Sequence, residues 1–352
     1  MEYPKFKVTV SCMTYNQSKY ITDAMNGFTM QQTSFPFVCT IVDDASTDGE
    51  QEVIRKYVED NFDFSEGSVA YHKETDYAHI TYAQHKTNKN CYFAVLFLKE
   101  NHYSQKKDKG PYLKEWRDGV EYMALCEGDD YWIDSSKLQC QNDALDKNPE
   151  CTIAYCRVSV ISTETKKELF TIPWKNSLCS KNIVTLEDLM NEEYYKGHWT
   201  FHTSSFLFRK EYSEKYLELK KTLFQNFPYG DMPMQLTCLL NGNGYLIHKK
   251  MSCYRFLSGG YNSMLKANPQ IKIEHSNKLI KAYNDLDNYT NNIYHKQIVR
   301  HILRAQFNID HAKTKRVGLF RLKFKYRYFW GIETIKQIIK EVLILLKIIN
   351  SK

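Results

Sequence analysis

Lys7–Cys12 (KVTVSC) alternates apolar and polar positions and is rich in β-branched side chains, which predicts a strand. Ser18–Met30 follows with Ile21, Ala24, Met25 and Phe28 at helical spacing. Phe37–Val42 (FVCTIV) has no polar face, the pattern of a parallel strand covered on both sides. It runs into Asp43-Asp44-Ala45-Ser46-Thr47-Asp48-Gly49, after which Glu50–Asn61 reads as helix. Strand, helix, strand, helix in the first 61 residues implies βαβ units around a mostly parallel sheet.

The stretch from Phe62 to Gly119 has mixed polarity and many turn residues, and it predicts loops with short elements. Val120–Cys126 (VEYMALC) is a short apolar strand that runs directly into Glu127-Gly128-Asp129-Asp130. Ser135 is placed to cap a helix from Ser136 to Lys147, which Asn148-Pro149 stops. Thr152–Ile161 is a further strand pattern, and Thr185-Leu186-Glu187-Asp188 opens a short helix. His202–Phe208 alternates as a strand, Asp231–Leu240 reads as helix, and Tyr245–Ile247 and Met251–Phe256 as two short strands. Beyond Gly259-Gly260 the chain is helix-forming from Ile271 to Ala312, and Ile332–Ile349 lays its apolar residues on one stripe. The expected organisation is an α/β domain over 1–263 and a helical extension over 264–352 with a basic amphipathic tail.

Charge sharpens that division. The chain carries net +7, yet Lys313–Lys352 alone holds eleven Lys/Arg against two Glu, a net +9, which leaves the first 312 residues at −2. The tail interleaves Arg316, Arg321, Lys323, Lys325 and Arg327 with Phe320, Phe324, Tyr326, Tyr328, Phe329 and Trp330. That mixture suits an anionic membrane surface, and nucleic acid is not the expected partner. The same tail suits packing against the body of the protein or a second copy of the chain. The ten cysteines form no C-x-x-C pair and several lie in apolar strand patterns, as reduced buried thiols do. Met1–Val10 is charged and lacks a signal-peptide pattern, and Lys347 interrupts the longest apolar run. A cytoplasmic protein, associated with the inner face of the membrane through 313–352, is the expectation.

Two acidic clusters fall just after strands, where open parallel sheets bind ligands. Asp43-Asp44 follows one and Glu127-Gly128-Asp129-Asp130 the other. Carboxylates this close repel one another, and a divalent cation with a bound diphosphate relieves the repulsion. Hard oxygen ligands suit Mn²⁺ or Mg²⁺.

The blocks VTVSCMTYNQSKYI, IVDDASTD and YMALCEGDDYWIDSSKLQ, in this order, resemble family 2 inverting glycosyltransferases of bacterial surface-polysaccharide type, over roughly Val8 to Ser263. The resemblance implies a GT-A-like fold, a nucleotide-sugar donor, most simply a UDP-sugar, and a glycan or lipid-linked acceptor hydroxyl. It assigns Thr14 and Tyr15 to the nucleobase, and Asp43, Asp44 and Ser46 to base and ribose. The family's D-x-D becomes Glu127-Gly128-Asp129, with Glu127 reaching a ribose hydroxyl and the metal on Asp129 or Asp130. Asp231, opening a later helix, corresponds to the general base, and Arg255 to a phosphate contact. Leu257 stands where the family often has His. His202 and Trp199 fall on the acceptor side. The alternatives are a nucleotidyltransferase, against which Met13-Thr14-Tyr15-Asn16-Gln17 lacks the Gly-rich basic loop, and a non-catalytic nucleotide-sugar-binding subunit.

Overall fold

The computed structural model describes residues 4–173, 177–196, 200–256, 265 and 267–313. Trp199, Leu257 and the tail beyond Lys313 lie outside the described residues. Contacts group the chain into two compact units. The first comprises Met1–Thr185, Trp199–Lys215 and Met234–Phe256, and the second Leu186–His198, Tyr216–Pro233 and Leu257–Lys352.

The first unit is built on a twelve-stranded sheet. Its centre is the parallel set β5 (Cys91–Leu98), β2 (Phe37–Asp43), β1 (Val8–Thr14) and β6 (Tyr122–Leu125), hydrogen-bonded in that order. Outside β5, β4 (Ala78–Gln84) and β3 (Tyr71–Glu74) continue antiparallel. Outside β6, β11 (Leu207–Arg209) pairs antiparallel and leads to β8 (Cys151–Ser162), which runs parallel to β12 (Asn243–Phe256). Short β7 (Tyr131–Trp132), β9 (Glu168–Ile172) and β10 (Ile183–Val184) complete the sheet. The sheet is therefore mixed, with parallel pairing confined to the four central strands and the β8/β12 pair.

Helices α1 (Ile21–Thr29), α2 (Glu50–Asn61) and α4 (Lys137–Lys147) flank this sheet, and α3 (Lys114–Arg117) is a single turn. Ile21, Ala24, Met25 and Phe28 of α1, Ile54 and Val58 of α2, and Leu138 and Leu145 of α4 are buried in one core with Val8, Val10, Cys39 and Phe93. At Gly27 the helix backbone comes so close to β7 that a Cβ would lie 2.8 Å from the Trp132 nitrogen. Eight of the nine described free cysteines are buried.

Four elements differ from their sequence patterns. β5 arises inside the stretch that reads as loops; all eight of its residues are buried. Within His202–Phe208, residues Thr203–Ser205 form a 3₁₀ turn and only the end pairs as β11. There Ser205 Oγ donates to His202 O at 2.6 Å, so side chains compete with the ladder for backbone groups. β12 is one strand, with register shifts from Ile247 to Ser252 that carry the exposed His248, Lys249 and Lys250. The helical stretch after residue 268 is two helices, α8 (Pro269–Tyr289) and α9 (His295–Lys313), parted where Asn291 and Asn292 take left-handed conformations.

In the second unit, α5 (Leu186–Lys196), α8 and α9 pack together. His301 on α9 stacks on Tyr283 of α8, and its Nε2 lies 2.8 Å from the Met190 carbonyl of α5. Two further helices are α6 (Glu211–Lys221) and α7 (Asp231–Leu239).

Candidate active site

The site is assembled where β1, β2 and β6 end side by side. β1 stops at Thr14, paired with Asp43 at the end of β2. On its other side, Cys126 N–H and Gly128 N–H continue the β6 contact by donating to Ser11 O at 3.2 Å and Met13 O at 3.1 Å. The three loops that carry chemistry in the sequence thus leave one edge of the sheet as neighbours.

Their cohesion comes from a residue the sequence reading passed over. Glu50, the first residue of α2, is fully buried. Its carboxylate accepts from Thr14 Oγ1, from Gln17 N–H at 2.8 Å and from Ser46 Oγ at 2.8 Å. Asn16 N–H donates to Ser46 Oγ at 2.9 Å, and Thr47 N–H to Asn16 Oδ1 at 2.8 Å. The loop after β1 and the loop after β2 are therefore one hydrogen-bonded body. Burial pushes Glu50 above the ordinary carboxylate range, although three donors counter it. The signal for it was Ser46 and Glu50, four apart at a helix start.

Gly128 seats the acidic turn on this body. A Cβ there would lie 2.8 Å from Thr14 Cβ and 2.5 Å from Gln17 Oε1, and closer still to Thr14 Oγ1. No larger residue fits this approach without moving Thr14.

The acids divide by environment. Asp43 is fully buried; Oδ1 accepts from Ser46 N–H at 3.1 Å and Gln51 Nε2 at 2.6 Å. Its Oδ2 is buried with no hydrogen-bond partner among the described residues, and burial pushes the carboxyl up. Asp44 instead holds a loop: Oδ1 accepts from His102 N–H at 2.9 Å, and Oδ2 from Tyr103 N–H and Lys109 Nζ at 3.0 Å each. Glu127 is exposed, and its carbonyl accepts from Asp130 N–H at 3.1 Å to close the turn. Asp129 is partly exposed; burial raises its carboxyl, opposed by the Arg255 charge and a bond from Gln17.

Asp130 is 1% exposed, and burial, then Asp129 and Glu127, push its carboxyl well above the ordinary range. Oδ1 accepts from Arg255 N–H at 3.1 Å, and Oδ2 lies 3.4 Å from His202 Nδ1. Burial lowers the His202 pKa to about 3, so the imidazole is neutral and this approach is not an ion pair. Nδ1 accepts from Ser204 N–H, and the ring stacks on Tyr254 at 4.2 Å.

Arg255 sits beneath the acidic turn. Its guanidinium lies over the rings of Tyr131 at 4.2 Å and Tyr20 at 5.1 Å, donates to Asp129 O at 2.6 Å, and pairs with Asp23. At 6% exposure it holds the turn's backbone. The K-L-Q of the third motif is structural in the same way: Lys137 is fully buried against the Trp132 ring and donates to Gln141 Oε1 at 2.7 Å. Gln141 Nε2 in turn donates to Ala154 O and Ser205 O.

Among the described residues no group of three or more His, Cys, Asp or Glu is arranged to hold a metal on its own. The donor set, one part-exposed carboxylate flanked by Glu127 and Asp130, fits a hard cation that takes its other oxygens from a diphosphate and water. Tyr15 is 45% exposed beside the buried Thr14. Asp231 belongs to the segments of the second unit; its Oδ1 accepts from Met232 N–H at 2.8 Å, and burial raises its carboxyl.

No known family model matches the chain. Uncharacterized proteins of Mycobacterium tuberculosis (Rv1520) and Mycobacterium bovis (Mb1547) are each 31% identical over 176 residues, 49% of this chain and 41% of theirs. The match thus spans less than half the length of these relatives. Among solved structures, residues 1–349 of Staphylococcus aureus TarS align with a TM-score of 0.51 at 15% identity, covering 92% of this chain and 80% of that one. The mannosyltransferase PcManGT from Pyrobaculum calidifontis, in complex with GDP-Man and Mn²⁺, aligns with a TM-score of 0.50 at 12% identity, covering 98% and 81%. The α/β fold with a large central sheet and a helical C-terminal region is shared with these proteins.

Proposed function

We propose that the chain is a glycosyltransferase that moves a sugar from a nucleotide-sugar donor, with a UDP-sugar as the first candidate, to a glycan or lipid-linked hydroxyl, with inversion. One observation carries this reading. Thr14, Asp43 and the Glu127–Asp130 turn gather at the ends of three adjacent parallel strands, in a fold shared with a mannosyltransferase. Thr14, Tyr15, Asp43 and Ser46 receive the nucleoside, and Glu127 the ribose. Asp44 acts by fixing the loop over residues 101–109, and Arg255 by fixing the acidic turn.

Of the two aspartates, Asp129 is our choice for the Mn²⁺ or Mg²⁺ ligand, because the Asp130 carboxylate is buried against Arg255 N–H and His202. A bound cation offsets charge on the departing diphosphate. Asp231 takes the proton of the acceptor hydroxyl as that oxygen attacks the anomeric carbon. Its carboxyl, raised by burial, is a stronger base than a solvated one. His202 and Trp199 remain assigned to the acceptor side. The tail over 313–352 is read as a peripheral contact with the inner membrane face; among the described residues no helix is long and apolar enough to cross a membrane.

The test combines thermal shift against UDP-, GDP- and dTDP-sugars with Mn²⁺ and an assay of nucleotide release. One donor should stabilise the native chain. Asp129→Ala should lose the Mn²⁺-dependent part, and Asp231→Asn should keep the stabilisation while losing turnover. Equal turnover in all three proteins rules the mechanism out. Release of pyrophosphate instead of nucleoside diphosphate favours a nucleotidyltransferase, and binding without turnover a binding subunit.

A further inference from the structure

The loop after β5 is where this chain builds something its motifs do not announce. Residues 101–109 fold back onto Asp44. His102 N–H, Tyr103 N–H and Lys109 Nζ donate to its carboxylate, and Asn101 Nδ2 donates to its carbonyl at 3.0 Å. The loop is also closed on itself, with Ser104 N–H on Asn101 Oδ1 at 2.7 Å and Lys107 N–H on His102 O at 2.9 Å. Its backbone is thus fixed at residue 103, yet the Tyr103 ring is 83% exposed, the most exposed large apolar side chain among the described residues. Lys109 Nζ lies 6.0 Å from the ring.

Asp44 also donates its own N–H to Thr14 O at 3.0 Å, and Thr14 immediately precedes the exposed Tyr15. Both exposed tyrosines therefore hang from backbone that is hydrogen-bonded to one buried residue. Two buried polar groups beside them lack hydrogen-bond partners among the described residues. One is Asp43 Oδ2, next to Asp44; the other is the His102 ring, 1% exposed, next to Tyr103 and with its Nε2 3.6 Å from Glu100 Oε1. An exposed aromatic ring on a hydrogen-bonded backbone, joined through Asp44 to the end of β1, matches the flat face of a planar ligand.

We propose that Tyr103 is a nucleobase-stacking residue whose backbone is held by Asp44, a second aromatic wall to the Tyr15 side of the site. This rests on the nucleotide-sugar reading. Tyrosine suits the role because it has only two torsions to immobilise and a large face. Stacking tolerates every base, so the ring supplies affinity rather than preference among bases.

The experiment is calorimetric binding of UDP, GDP and inorganic pyrophosphate, each with Mn²⁺, to the native chain and to Tyr103→Phe and Tyr103→Ala. Tyr103→Ala should weaken the preferred nucleoside diphosphate by about 5- to 100-fold and leave pyrophosphate unchanged. Tyr103→Phe should bind nearly as the native chain does. Tyr103→Trp supplies a second readout, with indole fluorescence quenched on nucleotide addition. The ring is exposed, so melting temperatures should not move. Native-level UDP and GDP affinity in Tyr103→Ala overturns the proposal while leaving the site reading intact. Absence of any nucleoside diphosphate binding by the native chain overturns both.

Discussion

Replacing Glu50 by glutamine or alanine separates the charge of this residue from its hydrogen bonds. The ionised carboxylate accepts from Thr14 Oγ1, Gln17 N–H and Ser46 Oγ, while Thr14 Oγ1 also lies 2.9 Å from Gln17 Oε1. One hydroxyl proton cannot serve both acceptors. An amide at residue 50 resolves this: its NH₂ donates to Thr14 Oγ1, which passes its proton to Gln17 Oε1, while its oxygen keeps Gln17 N–H and Ser46 O–H. Because burial raises the Glu50 pKa in the folded state, the native fold holds a proton that the unfolded chain releases at its ordinary value. Native stability should therefore fall as pH rises from about 4.3 through the raised value. Glu50→Gln removes that slope. We expect it within about 1 kcal/mol of the native chain near pH 5, and gaining relative to it toward pH 8. Glu50→Ala orphans two donors, at roughly 1–3 kcal/mol each. Gln17 and Ser46 are only partly buried and water reaches them, so about 2–4 kcal/mol in total is expected. Urea denaturation across this pH range measures both. A Glu50→Gln chain less stable by more than about 2 kcal/mol, equally at every pH, would refute the account.

Three further outcomes follow from the geometry. Gly128→Ala forces a Cβ against Thr14 and Gln17; it should cost about 1–3 kcal/mol in chemical denaturation and abolish nucleotide-linked stabilisation, whereas Gly67→Ala, strained by its left-handed φ of 84° but with open space around its Cβ, loses stability and keeps the nucleotide-linked gain. Arg255→Lys cannot reproduce the fork between Asp129 O and Asp23, so Mn²⁺ titration should show weakened metal affinity with nucleotide affinity less affected; unchanged metal affinity argues against its role in holding the turn. Burial lowers the Lys137 pKa, so the folded state binds fewer protons below the ordinary value of 10.5 and stability should rise with pH through that window; Lys137→Met should lose this rise in melting scans between about pH 7 and pH 9.5.

Local pattern was enough for the first 61 residues. FVCTIV, apolar throughout, became the fully buried β2, and Glu50–Asn61 became α2 with its boundaries as read. β5 carried the same signal in FAVLFL, but the turn-rich stretch around it masked the pattern. Near residues 202–208 the alternation was real, yet short-range side-chain bonds turned the backbone into a 3₁₀ segment. Patterns record which face is apolar; they do not record which local hydrogen bonds compete with the ladder.

The sequence by itself determined β1, β2 and β6 of the sheet's parallel centre and the two acidic runs at strand ends, because burial periodicity and strand punctuation are local properties. What each acid does was decided only by tertiary structure. Asp43 and Asp44 are adjacent in the chain, but one keeps an unpartnered oxygen while the other is saturated by a loop 58 and more residues away. Asp129 and Asp130 divide in the same way, through an arginine 125 residues further on. A carboxylate's role depends on its solvent and its donors, and those come from chain segments that only folding brings together.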